Sequence, residues 1–78
     1  MVPRQTFINK IRELGYTYKD QLKRTQLFRK RGGTHCIFVP MKDLLSEEYI
    51  TSSLRQAGES EDDIQSFIAC YHKAAGAN

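Results

Sequence analysis

The chain has 78 residues, 40% of them hydrophobic, with 12 Lys and Arg against 9 Asp and Glu. That length predicts one globular domain over residues 1–78 with a thin core, which excludes a multidomain enzyme and a deep substrate cavity and leaves any site on the surface. No apolar run approaches the ~18 residues that span a bilayer, the opening Met1-Val2-Pro3-Arg4-Gln5-Thr6 is too polar for a signal peptide, and Cys36 and Cys70 are too few to staple a secreted scaffold, so a cytoplasmic protein with reduced thiols and no membrane contact is expected.

Phe7, Ile8, Ile11 and Leu14 recur at helical spacing, so residues 3–14 read as an amphipathic helix with Pro3 in its first turn. Gly15 supplies the left-handed residue that ends it, and Tyr16 covers the last turn. From Tyr16 to Pro40 the chain is rich in Tyr, Thr, Phe, Ile and Val, which suit a pleated surface. Three strands are predicted: one around Tyr16-Thr17-Tyr18, turning through Lys19-Asp20-Gln21; one over residues 25–30; and one over residues 34–39. Gly32 and Gly33 join the last two as a hairpin, both taking the positive φ of a type I′ turn.

Pro40 stops the ladder. Ser46 is the N-cap of a second helix with Glu47 and Glu48 in its first turn, where the helix dipole favours anions, and Ile50, Leu54 and Ala57 form its apolar stripe. Gly58 ends that helix. Ser60 and Asp63 then start a short third helix carrying Ile64, Phe67, Ile68 and Tyr71, and residues 74–78 are expected to fray. The fold class is therefore α+β: helix, three-stranded antiparallel sheet, helix, short C-terminal helix.

Charge is divided along the chain. Residues 1–31 carry nine cations and two anions, a balance of +7, whereas residues 32–78 carry three cations and seven anions, a balance of −4. The basic half suits a polyanion, and the acidic half suits solvent or a basic partner. Lys23-Arg24 and Arg29-Lys30-Arg31 are interleaved with Leu27 and Phe28. On a strand, Arg29 and Arg31 share a face with Leu27 while Lys30 shares the other with Phe28, so only one set looks outward. Joined by Lys10 or Arg12, the outward set can contact several phosphates without reading sequence, as in shape-based recognition of duplex RNA. The plainer alternative is an edge strand charged against aggregation.

The order helix, three strands, helix resembles the double-stranded-RNA-binding fold, and three stretches resemble the HicA family of small toxin RNases. These are Leu14-Gly15-Tyr16 at the end of the first helix, Val39-Pro40 followed by Lys42-Asp43-Leu44, and the run Ile50-Thr51-Ser52-Ser53-Leu54-Arg55-Gln56-Ala57-Gly58 before Ser60. The resemblance covers residues 6–70. It implies the fold, contact with RNA, and a HicB-like antitoxin or other protein as partner. It also implies a catalytic His in a Gly-Ser-His triplet between the first two strands, where this chain has Lys23-Arg24-Thr25. Gly33-Thr34-His35 imitates the triplet one strand later.

His35 is thus the candidate catalytic residue, since an imidazole can exchange protons near neutral pH beside cations that neutralise phosphate; the alternative is an ordinary polar residue at a hairpin end. A zinc site of His35, Cys36, Cys70 and His72 is set aside, because neighbours on a strand point to opposite faces and residues two apart on a helix diverge. No cofactor is expected. The primary reading is an RNA-binding HicA-like domain, a degenerate or inactive mRNA interferase contacting RNA through Lys10, Arg12, Lys23, Arg24, Arg29, Lys30 and Arg31. Its alternatives are a protein-interaction module of the same fold and an active metal-free RNase using His35.

Overall fold

The computed structural model describes residues 1–76, with side chains through Cys70. It is a small α+β structure with three helices and antiparallel strands in the order β1 (Val2–Pro3), α1 (Arg4–Glu13), β2 (Tyr16–Gln21), β3 (Thr25–Lys30), β4 (Cys36–Pro40), β5 (Leu44–Leu45), α2 (Glu47–Gln56) and α3 (Glu61–Gly76). The chain divides into two compact units, Met1–Leu45 and Ser46–Asn78.

The first unit is built on an antiparallel sheet of order β2-β3-β4. The register pairs Tyr16 with Lys30, Tyr18 with Phe28, and Phe28 with Ile37. Because side chains alternate along a strand, Tyr16, Phe28, Ile37 and Val39 share one face, and all four are buried. Helix α1 lies against β2 and buries Phe7, Ile8 and Ile11, the stripe read from its spacing. Pro3 stands one residue before the helix as its N-cap. At the other end Gly15 has φ +94°, and its N–H donates to Arg12 O.

A two-stranded sheet adds to the expected three strands: Val2 pairs with Leu45 and Pro3 with Leu44, and Val2 is fully buried. Arg4 then joins the helix start to the sheet. Its Nε donates to Pro40 O at 2.9 Å, and its Nη2 donates to Gln26 Oε1.

The strand ends differ from expectation in three places. Strand β2 continues to Gln21, and the turn falls at residues 22–24, closed by Leu22 N–H donating to Thr25 O. The register shifts between Tyr18 and Asp20, so a bulge absorbs the polar stretch that the sequence suggested as a turn. The β3–β4 connection spans residues 31–35, and only Gly32 has positive φ, +73°. Gly33 N–H donates to Lys30 O, so Gly32 takes the third position of a type II turn rather than sharing a type I′ pair with Gly33.

The second unit consists of α2 and α3. Ser46 Oγ accepts from Tyr49 N–H and Ser60 Oγ from Asp63 N–H, as the two serine caps predict. Helix α2 closes with Gly58 N–H donating to Arg55 O and Glu59 N–H to Leu54 O, the paired bonds of a Schellman motif around Gly58 at φ +91°. Ile50, Leu54, Ile64 and Ile68 are buried. Helix α3, expected to be short, is the longest at 16 residues. It runs through Gly76, past the predicted start of fraying at Ala74; Ala77 and Asn78, and the side chain of Tyr71, lie outside the described residues.

Candidate nucleic-acid interface

The face of the sheet opposite the buried one carries Leu27 and Arg29 from β3, Cys36 and Phe38 from β4, and Thr17 from β2, by the same alternation. Lys19 follows Thr17 by two residues and shares this face, and the bulge brings Asp20, the register partner of Leu27, to it as well. Lys19 thereby meets Arg29 and Arg31 around an open recess of about 440 Å³, lined by Thr17, Lys19, Arg29, Lys30, Arg31, Gly32 and Gly33. Four of these seven carry positive charge, and none carries negative charge.

Gly32 permits the positive φ of the turn, and a Cβ at Gly33 would lie 3.4 Å from Lys30 Cγ. Arg29 Nε donates to Gly33 O at 3.2 Å, which ties one guanidinium to the loop and leaves its Nη groups for a ligand. Lys30 is engaged elsewhere: its Nζ donates to Leu14 O at 2.7 Å and lies 5.2 Å from the centre of the Tyr16 ring. That ammonium sits where α1 ends, at the negative pole of the helix, so Lys30 borders the recess with its stem while its charge closes the helix.

The predicted binding residues therefore fall into three places. Arg29 and Arg31 are exposed at the recess. Lys23 and Arg24 are exposed in the β2–β3 turn, at the other end of β3; the six residues of β3 separate Arg24 from Arg31, roughly 20 Å of strand. Lys10 and Arg12 belong to the last turn of α1 and do not line the recess. Lys19 is absent from the predicted set because the sequence suggests a turn through Lys19-Asp20-Gln21, where strand β2 in fact continues.

His35 is not among the residues lining the recess. It is half-buried, with its Nδ1 sharing a hydrogen bond of 2.6 Å with the Tyr16 hydroxyl and the two rings meeting edge to face at 5.7 Å. The backbone places it there, since Lys30 N–H donates to His35 O and Lys30 itself pairs with Tyr16. His35 thus belongs with the buried face, across the sheet from Arg29.

Cys36, half-buried, and Cys70, exposed, are both free. Among the described residues no group of three or more His, Cys, Asp or Glu side chains could hold a metal ion, and no helix is long and apolar enough to cross a membrane. No family model, curated protein or solved structure matches the chain.

Proposed function

We propose that the chain is a cytoplasmic RNA-binding protein of HicA-like, double-stranded-RNA-binding-domain-like fold that contacts phosphates through Lys19, Arg29 and Arg31 and does not cleave what it binds. The observation that carries this reading is the recess itself, where cations converge without a carboxylate. Such a lining attracts phosphate oxygens, and guanidinium groups can hold them through paired N–H donors. The order α1, β2-β3-β4, α2 supports the fold assignment.

Cleavage of RNA without a metal needs a group that accepts the 2′-hydroxyl proton beside the held phosphate. The side chains around the recess are Thr, Lys and Arg, with two glycines, and none accepts a proton readily near neutral pH. The His35 imidazole is directed to Tyr16 instead. Binding without turnover is the chemistry this arrangement favours.

The first test is RNA affinity against salt for wild type and the Arg29→Glu, Arg31→Glu double variant. Wild-type affinity should fall linearly with salt on logarithmic axes, and the variant should bind far more weakly with a flatter slope. Wild-type protein that fails to bind RNA at low salt overturns the reading in favour of a protein-interaction module. A cleavage assay without added metal, on wild type and His35→Ala side by side, addresses turnover. Robust cleavage lost in His35→Ala, with folding and RNA affinity retained, makes the protein an active RNase instead.

A further inference from the structure

Between its two cationic ends the outer face of the sheet carries Leu27 and Phe38, with Asp20 of β2 opposite Leu27. Leu27 pairs with Phe38 across β3 and β4, and Arg29 pairs with Cys36, so Phe38 is the diagonal neighbour of Arg29 at ~7–8 Å. Phe38, on the edge strand β4, is 51% exposed. The recess beside it contains no aromatic residue, so it is suited to phosphate and not to a base.

We propose that this face binds a single RNA strand, with phosphates at Lys19, Arg29 and Arg31 and again toward Lys23 and Arg24, and with an unpaired base lying on Phe38 and Leu27. The proposal rests on the RNA reading above and specifies its ligand. A duplex keeps its bases stacked inside and presents phosphates and 2′-hydroxyls, which gain nothing from an apolar strip. A single strand offers base faces that stack on aromatic side chains while its backbone follows positive charge, and this face supplies both in adjacent rows. Cations at each end with Leu27 and Phe38 between match a backbone that crosses this face clear of the Asp20 carboxylate and leaves its bases on the two apolar side chains.

The experiment uses the full chain, an unstructured RNA of about 12 nucleotides and a blunt duplex of the same length, with affinities measured by fluorescence anisotropy at matched salt. Phe38→Ala, Phe38→Leu and Phe38→Tyr are compared after circular dichroism and thermal unfolding establish that each is folded. The single strand should bind more tightly than the duplex. Phe38→Ala should weaken single-strand binding roughly 5- to 150-fold with little effect on its salt slope, because the phosphate contacts remain. Phe38→Tyr should restore affinity and Phe38→Leu should not; this pair decides the matter if the alanine variant unfolds. Equal or tighter duplex binding, or unchanged affinity in the folded Phe38 variants while Arg29→Glu, Arg31→Glu still abolishes binding, overturns the single-strand proposal and leaves phosphate-driven RNA binding standing. Absence of binding to either RNA by wild type overturns both.

Discussion

The Tyr16 hydroxyl and His35 Nδ1 join the start of β2 to the loop before β4, and Tyr16 is only 1% exposed. A hydrogen bond of this kind contributes about 1 kcal/mol net, so a double-mutant cycle of Tyr16→Phe and His35→Ala should give a coupling of about that size in urea unfolding. Additive single-variant effects would mean that the two side chains are independent. Lys30 is a second residue whose role depends on direction more than on charge, since its ammonium closes α1 at Leu14 O. The sequence allowed the division of faces to be read, with Lys30 beside Phe28 and Arg29 beside Leu27, because strand alternation is a local rule. It did not allow Lys19 to be read as a recess residue. Lys19-Asp20-Gln21 has the composition of a turn, and only the pairing of β2 with β3 carries the strand through it.

The capped helix ends were the most legible features, because caps are chemical signals confined to a few residues. Ser46→Ala should destabilise the protein by about 1 kcal/mol through loss of the bond to Tyr49 N–H, measured by chemical denaturation against wild type. Gly58→Ala should cost about 1–2 kcal/mol by the same measurement; nothing lies within 4 Å of the added Cβ, so the whole cost is the positive φ. A neutral Gly58→Ala variant would show that the Schellman turn can relax to another geometry. Strands β1 and β5 were illegible for the opposite reason, as two residues each carry no alternation to detect and only the pairing of Val2 with Leu45 defines them. At the start of α3, Arg55 donates two bonds to Glu61, at 2.9 and 2.8 Å. Those hydrogen bonds hold the Glu61 carboxyl below its ordinary 4.5, so its stabilising contribution is present above that value and is lost as pH falls through the lower folded value. Both side chains are well exposed, and salt screens the pair. Thermal unfolding of Glu61→Gln should therefore show a small deficit at neutral pH and low salt that vanishes in strong acid or high salt. A deficit that persists in strong acid would assign the effect to something other than the ion pair.

The two compact units also separate the charge. Residues 1–45 hold ten cations and three anions, a balance of +7, and residues 46–78 hold two cations and six anions, a balance of −4. The cations that suit RNA therefore all belong to the unit that holds the sheet, and within it they occupy the two ends of β3. This arrangement sets a length dependence. A single strand long enough to reach Lys19, Arg29 and Arg31 as well as Lys23 and Arg24 should release counterions at about five phosphates, giving a slope of log affinity on log salt near −3.5 at ~−0.7 per contact. A 5′-phosphorylated trinucleotide carries three phosphates and is too short to reach both ends, so it should show a slope of about −2 from the recess alone. The Lys23→Ala, Arg24→Ala variant should accordingly flatten the slope of the longer strand by about 1.4 and leave that of the trinucleotide unchanged. The measurement is a titration of both RNAs with both proteins across a salt series. Equal slopes for the short and long RNA would confine binding to one end of β3, and a trinucleotide slope that changes with Lys23 and Arg24 would place the phosphate site at the β2–β3 turn and remove the recess from the interface.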